Sequence, residues 1–155
     1  MKGNDKVLDL LNHLLADELT AVSQYMVHSS MCSNWGYEKL HQAIEKRAVD
    51  EMKHAEILID RILFLEGAPV VNNLNKMIIG SKVEVQLKND HESEVGAIQA
   101  YNAGIRLTTE AGDNGSGELF KSILRDEERH LDWLDAQLDQ IDQMGIQNYL
   151  VEKVS

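Results

Sequence analysis

Along most of the chain, apolar residues return every three or four positions, the spacing that gathers them on one side of an α-helix. Leu11, Leu15, Val22 and Tyr25 form one such stripe, and Glu18 lies on it with them. Ile44, Ala48, Ala55 and Leu58 flank Glu51 in the same way, Leu87, Ile98, Tyr101 and Ile105 flank Glu94, and Phe120, Ile123, Leu124, Leu131 and Leu134 flank Glu127. Helix-breaking residues interrupt the pattern at Asn34-Trp35-Gly36, from Gly67 to Gly80 around Pro69, at Gly112-Asp-Asn-Gly115-Ser-Gly117 and at Gly145. Four long helices are therefore predicted, over roughly 5–33, 37–65, 82–111 and 117–144, with a short fifth over about 146–152. Short connections make two antiparallel hairpins, and the long Glu66 to Ser81 connection must cross the bundle to start the second. The expected fold is all-α: a four-helix bundle with one long crossover and a short fifth C-terminal helix, as one domain over residues 1–155.

Each inward glutamate belongs to a repeat. Glu18 and Glu94, Tyr25 and Tyr101, Glu51 and Glu127, and His54 and His130 are all separated by 76 positions. Their neighbours repeat as well, since Asp50-Glu51-Met-Lys-His54 reads like Asp126-Glu127-Glu-Arg-His130. Each half thus offers a lone Glu and a Glu-x-x-His. A third Glu-x-x-His, Glu38-Lys-Leu-His41, has Asn114 as its counterpart 76 residues later, in the glycine-rich stretch. It belongs to no repeated site and reads as helix-surface polarity.

Composition narrows the chemistry. A single proline and 5% aromatic residues suit long helices, and the one cysteine, Cys32, leaves no thiolate cluster for zinc or iron–sulfur binding. A net charge of −11 repels nucleic-acid phosphates and favours cations. There is no run of about 18 apolar residues and no signal-like apolar stretch at the N-terminus, so no membrane span and a cytoplasmic location are expected.

Four carboxylates in a bundle core each cost several kcal/mol if left charged and unpaired, and would take up protons instead. Two divalent cations remove that problem. On a helix, Glu and His three apart point to one side, so on each of two helices one of these side chains can bridge two metals while the other caps one. A carboxylate-rich set with two imidazoles and no thiolate suits Fe(II) or Mn(II) better than structural zinc. Tyr25 and Tyr101 follow their glutamates by seven residues on the same face; each is either core packing or a phenol set beside an oxidising centre.

These residues, with Met1-Lys-Gly, Asn34-Trp-Gly36, Arg61-Ile-Leu-Phe-Leu-Glu-Gly67, Ile123-Leu-Arg-Asp-Glu-Glu-Arg-His130 and Met144-Gly-Ile-Gln-Asn-Tyr-Leu150, resemble the ferritin-like superfamily and within it bacterioferritin, over essentially the whole chain. The resemblance implies a hollow homo-oligomeric shell of about 24 subunits that oxidises Fe(II) and stores ferric mineral. It implies two irons per subunit, with Glu18, Glu51, His54, Glu94, Glu127 and His130 as ferroxidase ligands. Glu51 and Glu127 would bridge, Glu18 and His54 would complete one iron, and Glu94 and His130 the other. It also implies a b-type haem between two subunits, with Met52 as axial ligand, and a bacterioferritin-associated ferredoxin as partner for iron release. Met52 lies about 100° around the helix from Glu51, so spacing alone makes it a packing or interface methionine.

The chain departs from the family at Lys46 and Arg47, where many bacterioferritins carry His and Glu on the cavity side of the second helix. Only Asp50 keeps that chemistry, so little iron is expected there outside the dimetal set. A dimanganese or di-iron peroxidase or catalase, and a haem electron-transfer shell with an incidental metal site, are the competing readings.

Overall fold

The computed structural model describes residues 1–155 and contains only helices: α1 (Asp5–Asn34), α2 (Glu38–Phe64), α3 (Val83–Glu110), α4 (Asn114–Met144) and α5 (Ile146–Val151). α1 pairs with α2 and α3 with α4, and the two hairpins meet with α1 against α3 and α2 against α4. The short α5 folds back on α4, anchored by buried Tyr149, whose hydroxyl donates to Gln137 Oε1 at 2.6 Å. This is the four-helix bundle with one crossover and a short fifth helix that the periodicity predicts. No helix is long and apolar enough to cross a membrane.

The core is divided. One apolar cluster is built on Leu11, Leu15, Leu58, Ile62, Tyr101 and Phe120, and another on Tyr25, Ile44, Leu87, Leu134, Ile141 and Tyr149. Between them lie the buried glutamates, one from each long helix. The apolar ends supply the hydrophobic drive to fold, which lets the central layer stay polar.

The fourth helix starts at Asn114 and not at the expected 117. Asp113 caps it, accepting from the Ser116 backbone N–H at 3.0 Å. Gly115 and Gly117 sit inside its first turn because neighbours press on them. A Cβ at 115 would lie 2.6 Å from Arg61 Nη2, and one at 117 would lie 3.0 Å from Thr108 Oγ1. Glycine is also displaced from its usual task where α2 ends. The left-handed residue is Glu66, with φ 63°. Gly67 follows it because a Cβ there would meet Leu8 Cδ2 at 2.6 Å.

The crossover has no regular structure, so its backbone needs other partners. It finds them on α1. Asn12 Oδ1 accepts from Val70 N, Thr20 Oγ1 from Asn75 N, Gln24 Oε1 from Ile78 N and His28 Nε2 from Gly80 N, at 2.8, 2.9, 3.0 and 3.0 Å. Positions 12, 20, 24 and 28 are multiples of four apart and form a row that winds around α1, and the crossover follows it. Because His28 Nε2 accepts, the ring proton sits on Nδ1 and donates to Asp90 Oδ1 of α3 at 2.9 Å. His28 therefore joins α1, the crossover and α3. Replacing it with leucine strands the Gly80 N–H and weakens the hold on Asp90. The expected cost is about 1–3 kcal/mol, read as a lower urea midpoint; an unchanged midpoint would show that the crossover is held elsewhere.

Candidate metal centre

The periodicity that buries Glu18, Glu51, Glu94 and Glu127 brings their carboxylates together at the middle of the bundle. Two groups of buried side chains have ligand atoms within 4.8 Å of one another: Glu18, Glu51, His54 and Glu127, and Glu51, Glu94, Glu127 and His130. Glu51 and Glu127 belong to both groups, and they are the positions to which the bacterioferritin resemblance assigns bridging. All six residues are at most 2% exposed.

The imidazoles reach across between helices. His54 Nδ1 on α2 lies 3.0 Å from Glu127 Oε1 on α4, 3.7 Å from Glu18 Oε2 and 3.8 Å from Glu51 Oε2. His130 Nδ1 on α4 lies 3.0 Å from Glu51 Oε1 on α2, 3.5 Å from Glu94 Oε1 and 4.0 Å from Glu127 Oε1. The far nitrogens are held too. His54 Nε2 bonds Asp126 Oδ2 at 2.8 Å, and His130 Nε2 bonds Asp50 Oδ2 at 3.1 Å. Each aspartate therefore turns the opposite helix's imidazole so that Nδ1 faces the glutamates, an arrangement that fixes the tautomer of a ligating histidine. The repeat displays both aspartates, but their crossed pairing exists only once α2 and α4 are side by side.

Tyrosines hold the two outer carboxylates, also crosswise. Tyr25 of α1 donates to Glu94 Oε1 of α3, and Tyr101 of α3 donates to Glu18 Oε1 of α1 at 2.6 Å. Spacing placed each phenol beside its own helix's glutamate; the bond runs to the other hairpin. Both are buried, and Tyr101 packs edge-on against Phe120.

Seven buried side-chain nitrogens and oxygens lack a hydrogen-bond partner: Glu18 Oε2, Glu51 Oε1, Glu94 Oε2, Glu127 Oε1, His54 Nδ1, His130 Nδ1 and Arg47 Nε. Six belong to the six converging residues, one atom from each. Unsatisfied buried polar atoms are rare and costly, and a convergent set of this composition suits a divalent cation.

Burial and neighbouring charges act on the ionisation of these groups. Burial, then the nearby Glu18 and Glu127, push the Glu51 carboxyl well above its ordinary value. Burial likewise drives Glu127 well up, with Glu94 and Glu18 adding to it and His54 opposing. Burial alone would lower His54, but the Glu127 and Glu18 carboxylates beside it outweigh that and raise it to about 11. For Glu94 burial acts upward, yet His130 and the hydrogen bonds around it bring the net shift down.

A cavity of about 340 Å³ opens on the α1–α3 side. The four glutamates and both tyrosines line its inner part, and His13, Asp17, Asn75, Lys76 and Glu92 line it toward the exposed surface. Met52 does not face the centre; it is 44% exposed on α2. Glu38 also lies outside it, exposed and bonded only to Gln42, while His41 Nδ1 ties to Ser29 Oγ of α1 at 2.9 Å. Asn114, the counterpart of Glu38, stands on α4 rather than in a loop, and still no second ligand group forms there.

This fold and centre define a ferritin-like protein, and a family model for the Ferritin-like domain matches residues 8–144. Relatives are similar over nearly the whole length. A bacterioferritin of Mycolicibacterium paratuberculosis is 39% identical over 155 residues, all of this chain and 98% of that protein. A bacterioferritin of Streptomyces coelicolor is 39% identical over 150 residues, 97% of this chain and 90% of the relative. One from Brucella melitensis is 38% identical over 149 residues, 96% of this chain and 92% of the relative. The chain belongs to the bacterioferritin family.

Proposed function

We propose that this protein stores iron and acts as a ferroxidase. Fe(II) is substrate and cargo, oxidised at the centre and deposited as ferric mineral inside a shell of about 24 copies of this chain. Glu18 and His54 hold one ion, Glu94 and His130 the other, and Glu51 and Glu127 bridge them. The supporting observation is the six unsatisfied atoms, one on each of these residues, converging in a buried layer.

Four carboxylates balance two Fe(II) ions and favour Fe(III) once an electron has left each, because oxygen donors bind the harder, more charged ion more tightly. The pair of ions supplies the two electrons that take dioxygen to hydrogen peroxide, or hydrogen peroxide to two waters, with two protons consumed in either case. Asp126 and Asp50 keep His54 and His130 turned inward throughout, and Tyr101 and Tyr25 fix the outer carboxylates. The phenols sit one hydrogen bond from the outer ligands, which places Tyr25 to donate an electron and a proton when the pair of ions falls short.

Anaerobic Fe(II) titration followed by oxidant tests the assignment. About two irons should bind per subunit and then oxidise faster than in buffer. Stoichiometric binding that produces no acceleration would make the centre a storage ligand set and not an enzyme.

A haem would use a second surface. Met52 offers an exposed thioether on α2, and Val49, on the same helix face, is 40% exposed beside it, leaving an apolar surface on one subunit with room for a partner. Two Met52 side chains, one from each subunit of a pair, would hold the haem iron, which supplies a one-electron carrier. Met52→Leu should eliminate the Soret band of the purified protein with the ferroxidase rate kept, since Met52 is off the glutamate stripe. Normal haem content in that variant would assign the ligand elsewhere.

A further inference from the structure

Arg47 Nε is the one unsatisfied buried atom that does not belong to the six converging residues. Arg47 borders a cleft on the α2–α4 side that has no apolar residue in its lining: Lys46, Arg47, Asp50, Asp126, Arg129 and His130. The metal centre thus has two unlike flanks. Toward α1 and α3 the cavity mouth carries Asp17 and Glu92 with Lys76 and His13, whereas toward α2 and α4 the cleft carries three cations against two aspartates.

Both acids in this cleft are already engaged. Asp50 accepts from His130 Nε2 at 3.1 Å and faces Arg47 Nη1 at 3.5 Å. Asp126 accepts from His54 Nε2 at 2.8 Å and pairs with Arg129. The donors are in surplus. Lys46 is exposed and has no carboxylate partner, Arg129 keeps the rest of its fork free at the surface, and Arg47 Nε has nothing to donate to. Arg47 is also held in place, its guanidinium 5.6 Å from the centroid of the Trp133 ring. Three cations against two carboxylates leave the cleft one positive charge on a chain of net charge −11.

A cation entering here would find its only oxygen ligands occupied and three like charges around it. A tetrahedral oxyanion would find unpaired N–H donors on three side chains, two of them guanidinium forks suited to phosphate oxygens. We propose that this cleft is an oxyanion site and that inorganic phosphate occupies it. The binding stands on the cleft alone. Its use rests on the ferroxidase reading: phosphate held behind His54 and His130 would meet ferric ions as they leave the centre, giving a phosphate-containing mineral.

Equilibrium dialysis of the metal-free, full-length protein against radiolabelled inorganic phosphate, at fixed ionic strength, tests the binding. Saturable uptake of about one phosphate per subunit is expected, weakened at least five-fold in Lys46→Ala and in Arg129→Ala. Both side chains are exposed, so neither variant should affect folding. Arg47→Lys should also weaken uptake, since an ammonium lacks the Nε–H and the fork. Lys121→Ala, whose side chain pairs with Glu118 away from the cleft, should bind as the parent does. Co(II) absorption at the dimetal centre should be the same in Lys46→Ala as in the parent, which separates loss of the cleft from damage to the centre. Absence of saturable uptake, or equal uptake in the parent, Lys46→Ala and Arg129→Ala, would overturn the proposal. Iron oxidation measured without phosphate is independent of either result, so failure of this site and failure of the ferroxidase reading are told apart.

Discussion

Replacing Glu51 or Glu127 by alanine is expected to bring Fe(II) oxidation down to its rate in buffer while the protein still folds. Each carboxylate belongs to both candidate ligand groups, so on the proposed reading one substitution removes an oxygen ligand from both ion positions together with the charge they share. Folding should survive because these are the groups the metal-free protein holds at a cost. Burial and neighbouring carboxylates push Glu51 and Glu127 well above the ordinary carboxyl range. Removing one relieves desolvation and repulsion, and the apolar clusters on either side remain. The unfolding free energy of the metal-free variants should therefore lie within about 1 kcal/mol of the parent's, a small balance between that relief and the cavity left behind. Glu38→Ala, on the exposed and unrepeated Glu-x-x-His, is the control and should oxidise iron normally. Parent-like rates in Glu51→Ala and Glu127→Ala would remove both residues from the centre.

The sequence carried the centre further than it carried the scaffold around it. Four glutamates on four apolar stripes, repeated at one interval, are legible because helix periodicity converts spacing directly into facing. What lies outside that rule is contact between helices. Asp50 and Asp126 stand in plain view before their glutamates, yet each serves the histidine of the other helix, which no spacing within one helix reports. Tyr25 and Tyr101 face inward as their spacing requires, but their bonds cross to the opposite hairpin. Spacing along α1 gives its polar residues no assigned partner. Asn12, Thr20, Gln24 and His28 prove to be the partners of a crossover that has no periodicity to read. Glycine misled for a related reason: Gly115 answers to Arg61, distant in sequence, and Gly117 to Thr108 across the α3–α4 turn, and neither marks a local break.

Loading the metal-free protein with Fe(II) or Co(II) under anaerobic conditions should release protons before any oxidation. The Glu127 and Glu18 carboxylates raise His54 to about 11, and burial with neighbouring carboxylates pushes Glu51 and Glu127 well above the ordinary carboxyl range, so protons compete with a metal ion for these groups. Metal ligands must be deprotonated, so proton release on binding is expected, about one per subunit from His54 with any from the raised carboxyls in addition, read with an indicator dye in weak buffer. The same protons set the stability of the metal-free form. A carboxyl raised on folding is bound more tightly by the native state, so its contribution is full below its unfolded value and is lost as pH rises through the folded one. His54 acts with the same sign, its share present below 6.5 and lost on the way to about 11. Glu94 opposes them, since its lowered value adds stability above 4.5 that disappears only in acid. Above the ordinary carboxyl range the metal-free protein should therefore weaken as pH rises. Metal affinity should climb over the same interval, and the thermal midpoint gained on adding Co(II) should widen with it. Metal binding with no proton release at pH 7, or a Co(II) stabilisation that is flat with pH, would mean that the empty centre is already fully ionised.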